Sequence, residues 1–168
     1  KIEAGKLSFE NINFDLSDVV KDIVVLYSLK SEQKGVSLTQ EIDPSLPKTL
    51  MGDPTRLRQI IVNLVSNALK FTAQGEVIVR VQVVSMVNDT VALKLAVSDT
   101  GIGIPETAQQ TLFSAFTQAD GSTTRKYGGT GLGLAIVSQL VEMMNGDLGL
   151  DSIEGKGSTF WLTVNLQC

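Results

Sequence analysis

Residues 53–71 read DPTRLRQIIVNLVSNALKF and give the clearest structural signal in the chain. Asp53 followed by Pro54 is typical of a helix start, because aspartate caps free amides and proline suits the first helical position. The residues that then recur at helical spacing are apolar: Leu57, Ile60, Ile61, Leu64, Val65, Ala68 and Leu69. This pattern predicts a helix with one buried face that ends before Gly75.

A narrow polar stripe lies beside that apolar face. At about 100° per residue it contains Arg56, Gln59, Asn63, Asn67 and Lys70. Asn63 and Asn67 are one turn apart, so their amides project together. Two amide oxygens with phosphates and waters suit Mg²⁺, and Lys70 can face phosphate oxygens. A solvated polar face is the alternative interpretation.

The patterns on either side of this helix alternate between strands and helices. Asp15 can cap a helix that ends near Gly35. A short helix is predicted at 105–113 and a longer one at 132–144, with Gly146 as its stop. Strands are predicted at 36–42, 76–85, 90–99, 147–153 and 158–166. We therefore predict an α/β fold, an α+β two-layer sandwich whose mostly antiparallel sheet packs on three helices.

Composition excludes several classes of protein. The 168 residues carry a net charge of −4, which argues against a nucleic-acid binder. Histidine is absent and Cys168 is the only cysteine, so histidine catalysis, an internal disulfide and cysteine-ligated metal sites are excluded. No apolar run reaches the roughly 18 residues of a membrane span. Because the chain starts at Lys1, we expect a piece of a longer protein, with the end of a preceding element and a linker at 1–13 and one domain at 14–168.

The predicted strand ending at Asp99 leads into the sequence DTGIGI at 99–104. A carboxylate there can accept a hydrogen bond from an exocyclic amine such as adenine N6, whereas guanine presents an acceptor at that edge. Gly101 and Gly103 let the backbone approach a planar ring closely. A simple Asp-Gly turn at the end of a strand is the alternative.

Residues 128–134 read GGTGLGL and run directly into a predicted helix. Backbone amides at a helix start bind anions, most commonly phosphate. The sequence fits neither a Walker A loop nor G-x-G-x-x-G, because Ile136 stands at the third glycine position. Seven of the fifteen glycines lie between Gly101 and Gly133, which favours a ligand loop over a merely flexible one. The polar segment 114–130 before the helix is predicted to be a mobile loop.

Residues 155–160 read GKGSTF and predict a hairpin turn. If the strand that follows neighbours the strand ending at Asp99, the Thr159 hydroxyl can point toward Asp99. The turn by itself already accounts for Gly155 and Gly157.

In this order and spacing the motifs resemble the ATP-binding catalytic domain of sensor histidine kinases, over nearly the whole chain. Residues 63–71 resemble its N box, 99–104 its G1 box, 113–116 its F box, 129–134 its G2 box and 155–160 its last glycine motif. Residues 1–7 are similar to the junction after the second dimerisation helix, especially in hybrid kinases. The resemblance implies the Bergerat fold of the gyrase and HSP90 superfamily.

The resemblance also implies residue roles. Asp99 would fix adenine with Gly103 and Thr159, and the segment 114–130 would be the ATP lid, anchored by Phe113 and Phe116. Asn67 and Asn63 would ligate Mg²⁺, with Asn63 and Lys70 as the catalytic pair. Arg125 and Lys126 are either phosphate contacts or an exposed basic pair. The implied nucleotide-binding set is Asn63, Asn67, Lys70, Asp99, Gly101, Gly103, Ile104, Lys126, Gly129, Thr130, Gly131, Leu132, Gly133 and Thr159.

Because the chain has no histidine, it cannot phosphorylate itself as such kinases do. The resemblance implies γ-phosphoryl transfer to a dimerisation domain of the same protein and then to a receiver domain. It further implies a monomeric, cytoplasmic fragment whose partners include neither nucleic acid nor membrane. Two alternatives stay open. One is an ATP-sensing or docking module, and the other is a gyrase- or HSP90-type clamp, which places a water-activating glutamate where Asn63 stands.

Overall fold

The computed structural model describes residues 11–101, 130–153 and 155–168, which form one sheet and three helices. The elements are β1 (Ile12–Phe14), α1 (Leu16–Lys34), β2 (Val36–Ile42), β3 (Leu50–Gly52), α2 (Pro54–Phe71), β4 (Gly75–Val87), β5 (Thr90–Asp99), α3 (Thr130–Met143), β6 (Asp147–Ile153) and β7 (Gly157–Gln167). The strand order is β1-β3-β7-β5-β4-β2, and β6 pairs with β7. Among the described strands only β2 and β4 run parallel, so the predicted α/β sandwich with a mostly antiparallel sheet is confirmed.

Side-chain caps fix the starts of the two long helices. The Asp15 carboxylate accepts a hydrogen bond from the Ser17 amide at 2.9 Å, and Asp53 accepts one from the Arg56 amide at 3.0 Å. α1 ends at Gly35, whose left-handed φ of 74° suits a residue without a Cβ. Each cap stands where the sequence predicted it, because capping depends on neighbours along the chain.

The core lies between the helices and one face of the sheet. Alternate residues of β5 are buried, namely Val91, Leu93, Leu95 and Val97, and the same alternation runs along β7 from Phe160 to Leu166. The apolar face of α2 packs against β5 and β4, and Leu57, Ile60, Leu64 and Ala68 are each at most 1% exposed. In the described residues no helix is long and apolar enough to cross a membrane.

Two short strands depart from the sequence prediction. β1 pairs with β3 in antiparallel register, so Ile12 and Asn13, predicted to be linker, belong to the sheet. Three-residue strands are too short to show alternation, which is why the sequence did not reveal them. Residues 1–10, the predicted short helix at 105–113 and the loop up to residue 129 lie outside the described residues.

The end of α3 also differs in detail. Asn145, with φ of 58°, takes the left-handed position that was predicted for Gly146. The Gly146 amide donates to the Val141 carbonyl at 2.9 Å. A Cβ on Gly146 would lie 2.1 Å from the Thr163 carbonyl oxygen. Glycine is therefore required because the backbone passes close to β7, and not because the backbone adopts a left-handed conformation there.

Candidate functional site

The helix-facing side of the sheet becomes polar at one end. Asp99 continues the buried row of β5 beyond Val97, and it lies directly across from Ser158 on β7. Ser158 in turn lies across from Ser152 on β6. Directly opposed residues of antiparallel strands place their side chains on the same face, so three polar residues stand side by side where the apolar core ends.

Asp99 is 6% exposed, and its two carboxylate oxygens differ. Oδ1 accepts a hydrogen bond from the Gly101 amide at 2.9 Å, whereas Oδ2 has no hydrogen-bond partner among the described residues. Burial raises the pKa of Asp99, and the amides of Gly101 and Ser158 and the Thr72 hydroxyl partly oppose that rise. A buried carboxylate with one unused oxygen is suited to accept a hydrogen bond from a ligand.

The end of α2 adds two more buried polar groups. Asn67 is 4% exposed and its Nδ2 finds no partner in the described part of the chain. Thr72 directly follows the helix and is fully buried, and its hydroxyl likewise has no hydrogen bond of ordinary geometry to the described residues. Each unsatisfied buried group costs about 1–3 kcal/mol, so such a cluster calls for a ligand or ordered water.

The predicted metal and phosphate residues lie along α2. Asn63 is half-buried one turn before Asn67, and Lys70 is exposed in the last turn. Rotation about the last side-chain bond of Asn67 exchanges its amide nitrogen and oxygen, so an oxygen can be turned toward a hard cation. In the described ranges no group of three or more His, Cys, Asp or Glu side chains could hold a metal. The residues present fit Mg²⁺ held largely by phosphates and water.

A cavity of about 290 Å³ opens beside Asp99 at the β6–β7 turn. Its polar lining includes Ser152, Ser158 and Lys156. Lys156 is exposed and is the only basic residue among the described residues that line it. Besides the buried carboxylate of Asp99, the described lining contains the exposed carboxylate of Asp151, the cation of Lys156 and three hydroxyl-bearing residues, Ser152, Ser158 and Thr159.

The prediction that the Thr159 hydroxyl points toward Asp99 is wrong. β5 and β7 are neighbours, but the register pairs Thr159 with Ser98, and their two hydroxyl oxygens are 2.9 Å apart. Side chains alternate along a strand, so Ser158 lies on the face of Asp99 and Thr159 on the opposite face. The available signal was the apolar alternation after the turn, because Phe160 is buried and shares its face with Ser158. No comparable pattern in the sequence indicated that the Thr72 side chain would be buried beside the site.

The remaining predicted residues divide between described and undescribed regions. Thr130 begins α3, and Gly131, Leu132 and Gly133 form its first turn, where backbone amides lack partners within the helix. The predicted residues outside the described part of the chain are Gly103, Ile104, Phe113, Phe116, Arg125, Lys126 and Gly129.

The chain belongs to the family of histidine kinase-, DNA gyrase B- and HSP90-like ATPases, whose model matches residues 52–167. This confirms the resemblance carried by the motifs. The chain is 47% identical over 166 residues to the signal transduction histidine-protein kinase BarA of Escherichia coli (strain K12) and 44% identical over 166 residues to the sensor histidine kinase GacS of Pseudomonas protegens. Each match covers 99% of this chain and 18% of the relative, so the chain spans less than a fifth of their length.

A solved structure gives the same fold. Full-length ShkA, crystallised in complex with AMPPNP, matches with a TM-score of 0.78 and 32% identity. The match covers 96% of this chain and 32% of ShkA. The predicted Bergerat-type architecture is thereby confirmed.

Proposed function

We propose that this chain binds Mg-ATP and donates the γ-phosphoryl group to a histidine on a separate dimerisation domain, as the catalytic part of a two-component sensor histidine kinase. The observation that carries the proposal is a set of three buried polar atoms that have no hydrogen-bond partner among the described residues: Asn67 Nδ2, Thr72 Oγ1 and Asp99 Oδ2. They come from the two elements that hold the predicted metal and adenine residues. Membership of the ATPase family supports the same ligand.

Asp99 would hold the base. Its unpartnered Oδ2 accepts a hydrogen bond, which matches the exocyclic amine of adenine and opposes the carbonyl of guanine. The Gly101 amide holds Oδ1 at 2.9 Å and thereby keeps the carboxylate in one orientation. Ser158, rather than Thr159, stands beside it on the same face of the sheet.

The phosphates would lie between α2 and the start of α3. Asn67 and Asn63 would supply amide oxygens to Mg²⁺, which neutralises the charge on the phosphates when bound. Lys70 would face phosphate oxygens, and the free amides of Gly131 and Gly133 would donate to them. In the transfer, the bond from the γ-phosphorus to its bridging oxygen breaks, a bond to the histidine nitrogen forms and ADP leaves. The chain's contribution is to position the phosphates and to balance their charge.

The partners follow from the missing phosphoacceptor. A chain without histidine needs the dimerisation domain of its own protein, here proposed to lie beyond residues 14–168, and a receiver domain would take the phosphoryl group next. The named relatives BarA and GacS are histidine kinases that are more than five times longer than the match. We also propose that the domain acts in the cytoplasm, where Mg-ATP is abundant, and that it is monomeric when isolated.

The direct test is a calorimetric titration with ATP and Mg²⁺. We expect binding by the wild type and a roughly 10- to 150-fold loss in Asp99→Asn, as for a hydrogen bond to a charged group of ~1.5–3 kcal/mol. Asp147→Asn removes an exposed carboxylate from a nearby strand and serves as the matched control, with affinity unchanged. Equal affinity of the folded Asp99→Asn variant and the wild type would contradict the adenine assignment.

Transfer needs a second experiment. The chain is mixed with labelled ATP and a separately supplied dimerisation domain, and acid-labile, base-stable label on that domain is measured. We expect label with the wild type and a large loss with Asp99→Asn at sub-saturating ATP. Binding without any transfer would instead favour the ATP-sensing or docking module.

A further inference from the structure

Three strands contribute one residue each to a hydroxyl–carboxylate row. Asp99, Ser158 and Ser152 are successive cross-strand partners, and Ser158 is only 6% exposed. The Ser158 and Ser152 hydroxyl oxygens are 2.7 Å apart, a short and well-formed hydrogen bond. In the function proposed above, Asp99 and Ser158 would face the adenine. Ser152 stands behind them.

The direction of the serine–serine hydrogen bond follows from a second contact. The Ser152 hydroxyl donates to the Gly157 carbonyl oxygen at 3.1 Å. A carbonyl oxygen can only accept, and a serine hydroxyl has one proton. The proton of Ser152 is therefore committed to Gly157, and Ser158 must be the donor in the 2.7 Å hydrogen bond. Toward Asp99 and the cavity, the Ser158 oxygen then presents lone pairs only.

We propose that Ser152 is a specificity-determining positioning residue, which fixes Ser158 as a hydrogen-bond acceptor so that Asp99 and Ser158 together select a base with a ring amine. The inference rests on the proposed function and deepens it. An exocyclic amine carries two protons and can serve two acceptors, whereas a ring carbonyl at that edge meets two acceptors and no donor. The predicted preference is for adenine over hypoxanthine or guanine nucleotides.

Loss of the Ser152 hydroxyl has a definite consequence. In Ser152→Ala the Ser158 proton loses its acceptor, so the Ser158 hydroxyl is free to turn and donate to a ring carbonyl. Ser152→Thr keeps a hydroxyl at the same position and retains the constraint. A purely structural role of Ser152 would weaken the binding of both kinds of nucleotide to the same degree.

The test compares ATP with inosine triphosphate, which carries a carbonyl in place of the amine. Calorimetric affinities are measured for the wild type, Ser152→Ala and Ser152→Thr, with thermal unfolding as the check on folding. We expect the preference for ATP to fall about 5- to 10-fold in Ser152→Ala, the size of one neutral hydrogen bond, and to be kept in Ser152→Thr. In a Ser158→Ala background, Ser152→Ala should change the preference no further.

An unchanged preference in Ser152→Ala would overturn the inference while ATP binding itself stands. An equal loss of affinity for ATP and inosine triphosphate in Ser152→Ala would also overturn the inference. So would a change in the ATP preference caused by Ser152→Ala in the Ser158→Ala background. A folded wild type that binds neither nucleotide would overturn the proposed function, and this inference with it.

Discussion

A Cβ atom on Gly157 would lie 2.1 Å from the carbonyl oxygen of Asp99, closer than real Cβ contacts allow. The φ of Gly157 is 126°, a conformation that side chains rarely adopt. Gly157→Ala should therefore lower the free energy of unfolding by about 2–4 kcal/mol, from backbone strain and from displacement of β7. Urea unfolding measures the loss, and ATP binding should weaken because Asp99 moves.

Gly155→Ala is the matched control two residues earlier. Gly155 also has a positive φ, 85°, but a Cβ there would meet nothing within 4 Å. Only the backbone preference is lost, so we expect a cost of about 1–2 kcal/mol and unchanged ATP affinity. Equal losses in the two variants would show that close approach to Asp99 does not matter.

The raised pKa of Asp99 predicts how stability depends on pH. The folded state binds this proton more readily than the unfolded chain, so the penalty of the buried charge is present at neutral pH. It is relieved as the pH falls through the raised pKa toward the ordinary value of 3.8. Each unit of pKa difference is worth about 1.4 kcal/mol.

The measurement is the unfolding free energy of the wild type relative to Asp99→Asn, without nucleotide, between pH 7 and 4. The wild type should gain stability relative to the variant as the pH falls. All other carboxylates are present in both proteins, so the difference between the two reports the protonation of Asp99. If the wild type instead lost stability relative to the variant on acidification, the fold would stabilise the charged form of Asp99 rather than destabilise it by burial.

Local features of the fold could be predicted from the sequence because their causes lie within a few residues. The caps at Asp15 and Asp53 and the buried face of α2 depend on neighbours along the chain. The positions of Asp99 at the end of a strand and of Asn67 on a helix were likewise predictable, since each follows from a pattern on one element, whereas their roles stay predictions.

Features that depend on pairing between distant segments could not be predicted. Choosing between Thr159 and Ser158 requires the β5–β7 register, and a one-residue change of register exchanges the faces of a strand. The role of Thr72 depends on where the end of α2 meets β5, which no pattern along the chain encodes. The donor direction from Ser152 to Gly157 requires atomic positions.

Thr72 offers a test of a buried hydroxyl that has no hydrogen-bond partner in the described part of the chain. Thr72→Val keeps the shape of the side chain and removes the oxygen, so the protein without nucleotide should be at least as stable, by up to about 1 kcal/mol. ATP affinity should fall about 5- to 10-fold, because a buried hydroxyl that is available to the ligand or to an ordered water is lost. Thr72→Ser keeps the hydroxyl and should retain affinity. A marked loss of stability in Thr72→Val would show that the hydroxyl is already satisfied within the fold.

Asn67 can be tested through its proposed metal. In Asn67→Ala, ATP affinity with Mg²⁺ should fall about 10-fold or more, since a metal ligand is lost. With EDTA in place of Mg²⁺, the same variant should differ from the wild type by less than about 3-fold, because the nucleotide then binds without the metal. Gln59→Ala, two turns earlier on α2 and bonded to Arg56 at 3.4 Å, is the control and should change neither affinity. If Asn67→Ala weakens binding equally with and without Mg²⁺, then Asn67 supports the nucleotide or the fold directly, and the magnesium assignment would have to move to Asn63 alone.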